Sequence, residues 1–547
     1  MTVIAPHPRI HRAGLLPSLA VIIALGYCRA IADGTASRDS AALDRTLDSL
    51  HTAYGMAGMS VVVVRNGSIT ASKGYGTADV ARQISITDST LYRIASISKS
   101  VTATALMQLY EQGKFALDED VSRYLGFALR NPNFPSDSVT FRTLLSHTAS
   151  LRDGSGYDGF LSATYNATPA PPLQALLVPG GTYYTANMWS NNRAPSSGYF
   201  TYANIDYGII GTLVEKISGE RFDVYCLNHI IRPLGMTASF NIQDIPNINN
   251  VAVLYRKPGG VWTPQADNYR GTKPPPRDMS GYIPGTNGMI FAPQGGLRVS
   301  AADLARFMLV HMNGGIYNGA RILRDTTVAR MHTTVWTFAG SNGDNYYGIF
   351  NRYGLGLSTT SELLPGETMI GHPGEAYGLI SDMYFSKDRT YGIIFITNGG
   401  ARDPWEIGVY SGWYRAEEDV FQAAYRFGVM DNPAEIRTDP GQMPIGFDLF
   451  QNYPNPFNPT TIVKFQIPST KSQNEAPRLE FGIGSLEFVS LKVYDLLGRE
   501  VATLVNESLP PGTYTVQLSA SGLAAGVYFY RLEACGFRAN RRMVLLK

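Results

Sequence analysis

The chain has 547 residues, 44% hydrophobic, 16% charged and 11% aromatic. That composition excludes a single small module, a disordered polyampholyte and a coiled coil, and the length requires at least two domains. The formal charge of +2, from 46 basic and 44 acidic residues, gives no electrostatic ground for a nucleic-acid or anionic-membrane partner. At the start, Arg9 and Arg12 precede an apolar run from Ala13 to Tyr27, and Ala30-Ile31-Ala32 supplies small residues at a signal-peptidase spacing. Residues 1–32 are therefore expected to be a removable export signal. No later run approaches the roughly 18 apolar residues of a spanning helix, so no integral membrane span is expected after its removal. The remaining chain keeps only Cys226 and Cys535, far apart, so neither a disulfide framework nor a cysteine-ligated metal is expected.

Met59 to Val64 reads as a strand, Asn66-Gly67 as a turn and Ser68 to Gly74 as the returning strand. A second hairpin is expected from Leu379 to Phe385 and Tyr391 to Thr397 across Lys387-Asp388, followed by helical periodicity from about Pro404 to Phe427. Between the hairpins the apolar spacing is helical, as in Val101, Ala105 and Leu109 or Ile209, Leu213 and Ile217. The simplest assembly is α+β: an antiparallel sheet built from both ends of residues 40–430, flanked by helices, with a mostly helical insertion. Asp431-Asn432-Pro433 and Asp439-Pro440-Gly441 mark a linker over residues 431–445. Beyond it, residues 446–547 carry short alternating strands, Leu491 to Asp495, Tyr514 to Leu518 and Val527 to Glu533, separated by turn residues, which suggests an immunoglobulin-like β-sandwich. Ser469 to Ile483, polar and irregular, reads as a loop insertion.

Ser96-Ile97-Ser98-Lys99 stands directly before an expected amphipathic helix. Three residues make just under one turn, so the Ser96 hydroxyl and the Lys99 amine share a face, and a buried lysine that keeps a neutral fraction can deprotonate a serine. A helix N-terminus adds N–H groups where an oxyanion would develop. In Tyr202-Ala203-Asn204, expected in a loop before a helix starting near Tyr207, the alternate side chains can face one cleft. Beside an ammonium the Tyr202 phenolate would be favoured, making it a proton shuttle, while Asn204 can accept from lysine and donate to a substrate carbonyl. In Gly371-His372-Pro373-Gly374-Glu375, Gly374 permits a close approach of substrate, the Glu375 N–H can join that of Ser96 as an oxyanion donor, and His372 would line the opposite wall. His147 reads as a hydrogen-bonded structural residue rather than a triad base. The aromatics between Gly154 and Phe200 could form a lid over the acyl pocket or a loop packed on itself.

These three motifs, in this order, resemble the penicillin-recognising serine hydrolases, specifically the class C β-lactamase-like branch with its D,D-peptidases, D-aminopeptidases and family VIII-type carboxylesterases. The resemblance extends to Thr140 to Thr148, to Pro233-Leu234-Gly235-Met236, and to Gly295-Gly296-Leu297 with Ser300 and Asp303-Leu304-Ala305. It implies that Ser96 is the acylated nucleophile, Lys99 and Tyr202 the proton-transfer pair, Asn204 a positioning residue and His372 the third-motif residue. No cofactor or metal is implied. Many β-lactamases carry Lys-Thr-Gly where this chain has His372-Pro373-Gly374, so a hydroxyl and a backbone donor are missing, and ester or small-amide substrates are expected ahead of β-lactams. A β-lactamase or D-alanyl peptidase of the same fold, and a non-catalytic surface protein binding peptidoglycan or peptide, are the competing readings.

Asn452-Tyr453-Pro454-Asn455-Pro456-Phe457-Asn458-Pro459 opens the last domain, with Tyr453 and Phe457 available to pin it to the sandwich. With Val493-Tyr494-Asp495, Gly498-Arg499, Gly526-Val527-Tyr528 and the run from Met543 to Lys547, it resembles the type IX secretion sorting domain. That resemblance implies the type IX machinery as a partner and export through the periplasm to the outer surface or the medium.

Overall fold

The nearly unbroken apolar run from Met59 to Val64 is the pattern of a strand covered on both faces, and it forms the middle of a sheet. A computed structural model of the chain describes residues 40–400, 405–408, 411–430, 436–439, 444–468, 487–520 and 522–546. The expected export signal and the loop insertion at Ser469 to Ile483 lie outside these residues.

Nine strands make the main sheet: β1 (Gly58–Arg65), β2 (Ser68–Asp79), β3 (Ile84–Ser85), β4 (Trp336–Thr337), β5 (Arg352–Tyr353), β6 (Ser358–Thr360), β7 (Met369–Ala376), β8 (Leu379–Ser386) and β9 (Tyr391–Thr397), in the order β4-β5-β6-β7-β8-β9-β1-β2-β3. Both expected hairpins are present. Asn66 and Gly67 turn the first with φ of 47° and 78°, the left-handed pair a two-residue hairpin needs. Met59 pairs with Thr397 and Arg65 with Tyr391, joining the two ends of the domain.

Alternation along the strands sorts their side chains into two cores. Val62 and Val64 pack with Met383, Phe385, Ile394 and Ile396 against the helices Ser98–Glu111 and Ala301–Met312. Val61 and Val63 pack with Ile380, Ile393 and Phe395 against Leu43 and Leu47 of the residue 40–53 helix and Val420 and Phe421 of the Arg415–Ala424 helix. That last helix starts later than the periodicity from Pro404 suggested. The Glu417 carboxylate accepts the Tyr414 N–H at 2.6 Å, a capping bond that sets the first turn there. The Ser98–Glu111 helix is not amphipathic as expected, because residues 97–107 are all buried. It is a central helix, packed between the sheet and other helices of the insertion between β3 and β4. Within that insertion Ser300 caps the Ala301–Met312 helix by accepting the Asp303 N–H at 3.1 Å.

Two four-stranded antiparallel sheets form the C-terminal sandwich around a separate core that includes Phe457, Phe465, Leu491, Val516 and Tyr530. The expected strands are there as Glu487–Tyr494, Gly512–Ser519 and Gly526–Ala534. Two expectations change. Residues of the supposed linker, Ile436–Asp439, pair with Gly512–Ser519 as a strand of this sandwich, while the rest of that linker up to residue 443 lies outside the described residues. Phe457 is buried, but Tyr453 is 80% exposed and is tied to Ile462 by backbone bonds. Neither Cys226 nor Cys535 is in a disulfide. Among the described residues no helix is long and apolar enough to cross a membrane.

Candidate active site

Ser96 sits in a 3-10 turn, Ala95–Ile97, one step ahead of the α-helix. Ala95 has φ of 47°, a left-handed conformation that costs a non-glycine residue on the order of 1–2 kcal/mol. The bend turns one side chain out of the core: Ser96 is partly exposed, while Ile94, Ala95 and residues 97–107 are buried.

Lys99 follows on the same face with its side chain wholly buried. Its Nζ donates to Ser96 Oγ at 2.9 Å, to Asn204 Oδ1 at 2.8 Å and to the Gln294 carbonyl at 2.9 Å. Loss of hydration pushes its pKa down from 10.5 to about 7, against the pull of the Asp153 and Asp206 carboxylates, which favour the ammonium. A neutral amine beside a serine hydroxyl is therefore well populated near pH 7.

Tyr202 lies over the same lysine, with its ring centroid 4.8 Å from Nζ. Its hydroxyl faces Ser96, whose hydrogen bond eases ionisation, but burial dominates and pushes the phenol well above 10. Burial thus acts against the phenolate that a neighbouring ammonium was expected to favour. Lys99 is wholly buried and Tyr202 half-buried on the cleft, and loss of hydration disfavours the charged form of each. Ring contacts hold the phenol in place: Phe350 stacks on it with centroids 4.9 Å apart, and His147 lies behind at 4.4 Å.

Asn204 is the first residue of the Asn204–Ser218 helix rather than part of a preceding loop. Its oxygen accepts from Lys99 as expected. Its amide donates to Asp153 at 2.9 Å instead of pointing to a substrate, and Asp153 also takes the N–H groups of Asn204 and Ile205 at 3.0 and 2.9 Å. Asp153 thus caps the helix, orients the asparagine and acts on the Lys99 charge, three roles that sequence reasoning missed.

The third motif lies on β7. That strand pairs with β6 only from Met369 to Gly371, so from His372 onward it runs beside the Ser96 turn. His372 does not line the cleft. It is buried, with Nε2 2.9 Å from the Tyr353 hydroxyl and Nδ1 2.6 Å from the Pro373 carbonyl, and burial pushes its pKa down to about 3. It is a neutral ring packed behind Tyr202 and Phe350. Pro373, Gly374 and Glu375 do reach the cleft. His147 keeps the structural part expected of it: its Nδ1 is 2.8 Å from Asp206, and burial lowers the histidine and raises the acid, against the charged form of each.

Ser96 opens on a cleft of about 250 Å³, walled by Tyr202, Tyr346, Phe350, Trp413 and Tyr414 and floored by Pro373 and Gly374. The aromatic wall does not come from Gly154 to Phe200. There Tyr157, Phe160 and Trp189 are spent on the main core, and Phe200 stacks on Trp336 at 4.3 Å beneath Phe350. Tyr165 faces a larger, separate cavity of about 580 Å³ that Ser96 does not line.

Comparison with known proteins agrees with this architecture. The Beta-lactamase family model matches residues 43–407, and the Secretion system C-terminal sorting domain model matches residues 451–545. The PbpX protein of Bacillus subtilis (strain 168) is 28% identical over 260 residues, 47% of this chain and 56% of its own length. Protein flp of Staphylococcus aureus (strain MRSA252) is 24% identical over 37% of this chain and 38% of its own, so the chain spans about half or less of these relatives. Penicillin-binding protein 4 of Amycolatopsis lactamdurans is 24% identical over 66% of this chain and 86% of its own. In fold, the D-amino acid amidase of Ochrobactrum anthropi SV3 superposes with a TM-score of 0.52 at 22% identity, covering 71% of this chain and 98% of the amidase. The octameric penicillin-binding protein homologue of Pyrococcus abyssi does so with 0.52 at 19%, covering 92% and 96%. With a family model spanning two thirds of its length and a strained serine turn, buried lysine and facing tyrosine within that span, the chain belongs to the beta-lactamase family and carries a secretion-system sorting domain at its C-terminal end.

Proposed function

We propose that the protein is an exported serine hydrolase that cleaves esters or small amides through an acyl-enzyme on Ser96. The observation that carries this reading is the wholly buried Lys99 amine, 2.9 Å from Ser96 Oγ and lowered to about 7. Neutral Lys99 takes the serine proton as Oγ attacks the carbonyl carbon. The developing oxyanion lies against the backbone of Ser96 and Glu375. Tyr202, protonated and facing Ser96, passes a proton to the leaving group, and the same pair then activates the water that releases the acyl group.

His372-Pro373-Gly374 lacks the hydroxyl that would hold a β-lactam carboxylate, which favours esters over cephalosporins and D-alanyl peptides. The sorting domain supports delivery by a type IX secretion system to the cell surface or beyond. Incubation with a fluorophosphonate or penicillin followed by mass spectrometry tests the core of the reading. An adduct on Ser96 supports it, and folded protein without one would favour a binding module. Parallel rates on short-chain p-nitrophenyl esters, a chromogenic cephalosporin and a D-alanyl peptide then rank the substrates, with esters expected to be fastest.

A further inference from the structure

The side chains around the Ser96 cleft have a consistent polarity. Its charged lining residues, among those described, are Glu375 and Glu417; no arginine, lysine or histidine lines it. Tyr346, Phe350 and Tyr414 supply aromatic surface whose faces are electron-rich, with the wholly buried Trp413 behind them. The Tyr414 hydroxyl donates to both Glu375 oxygens, at 3.2 and 3.1 Å, which ties the aromatic wall to that carboxylate. Glu417 is 4% exposed and is fixed at the start of its helix by the Tyr414 N–H. Asp382 on β8 is wholly buried beside Glu417, and neither of its oxygens finds any other hydrogen-bond partner among the described residues.

We propose, on the footing that Ser96 is an acylating nucleophile, that the cleft selects esters or amides bearing a cationic amine or quaternary ammonium group, held against Tyr414 and the exposed Glu375 carboxylate, with the buried Glu417 and Asp382 behind. Aromatic walls with carboxylates at one end are the chemistry that binds such cations, each ring contributing through its quadrupole. Two buried acids side by side with no counter-ion among the described residues are costly, and burial pushes both upward, which favours their protonated forms. A bound ammonium offsets that cost. A substrate carboxylate meets the opposite field.

Two matched pairs test this with the full chain. Choline butyrate against 3,3-dimethylbutyl butyrate places the cation on the leaving group; p-nitrophenyl 6-aminohexanoate against p-nitrophenyl hexanoate places it on the acyl group. The cationic member of at least one pair is expected to show a kcat/KM about tenfold higher, with tetramethylammonium competing. The pair that discriminates identifies the side of the scissile bond that enters the cleft. Glu417→Gln should lower the cationic-to-neutral ratio, and Glu375→Gln, at an exposed position, checks the same point without touching the buried acids. Equal rates within both pairs and no competition would overturn this inference while leaving the hydrolase reading intact. No turnover of any ester, together with no adduct on Ser96, would overturn both.

Discussion

Gly374 passes so close to the serine turn that a methyl group on its α-carbon would stand 3.1 Å from the Ser96 nitrogen, 2.6 Å from the Ile94 carbonyl and 2.5 Å from Ser381 Oγ. Two of those neighbours are main chain and cannot swing aside.

Gly374→Ala should therefore push β7 away from the turn and cost about 1–3 kcal/mol. The expected outcome is a lower melting temperature together with a fall in kcat. Thermal unfolding and ester kinetics on the same preparation check it, and a variant as active and as stable as the parent would show that the two segments are not fitted to one another.

The position of Lys99 predicts the pH profile. Its pKa is lowered in the folded protein, so the catalytically useful neutral form grows as pH rises, and kcat/KM should climb through an apparent pKa near 7. Tyr202 stays protonated well above 10 and adds no falling limb below that pH. A rate independent of pH between 5 and 9 would remove Lys99 as the base.

Asp153 favours the Lys99 ammonium, so replacing it should shift the rising limb to lower pH. Asp153→Asn also weakens the cap on the Asn204–Ser218 helix, at a cost of about 1 kcal/mol. Chemical denaturation and a pH profile separate the two effects. An unmoved limb would mean that the carboxylate acts on the helix alone.

Tyr202→Phe keeps the ring that packs on Phe350 and His147 and removes only the hydroxyl. Turnover should fall by about 10²- to 10⁴-fold with the circular dichroism spectrum unchanged. Retained turnover would assign proton delivery to another group.

Much of this site is legible in the chain itself. Ser96 and Lys99 are recognisable because one helical turn puts them on the same face, Tyr202 through the order of its motif after theirs, and Asn66-Gly67 announces its hairpin by backbone preference alone. The parts that are not legible depend on distance in sequence. Gln294 contributes a main-chain carbonyl to Lys99, which any residue could have supplied. Asp153 finds its helix 51 residues later. The walls of the cleft come from residues 346–350 and 413–414, which nothing local marks as neighbours of Ser96. The ionisation of Tyr202 is not legible either, because the sign of its shift follows from burial, and burial follows from packing that only the fold supplies.

The pairing of Met59 with Thr397 has a bearing on biogenesis. The central strand has no partner on that side until nearly the whole domain has been made, so neither core can close early, and the serine turn, which leans on β7, cannot assemble before it. A nascent or translocating polypeptide would thus stay inactive and accessible to chaperones until its last hairpin arrives, a built-in delay between synthesis and reactivity.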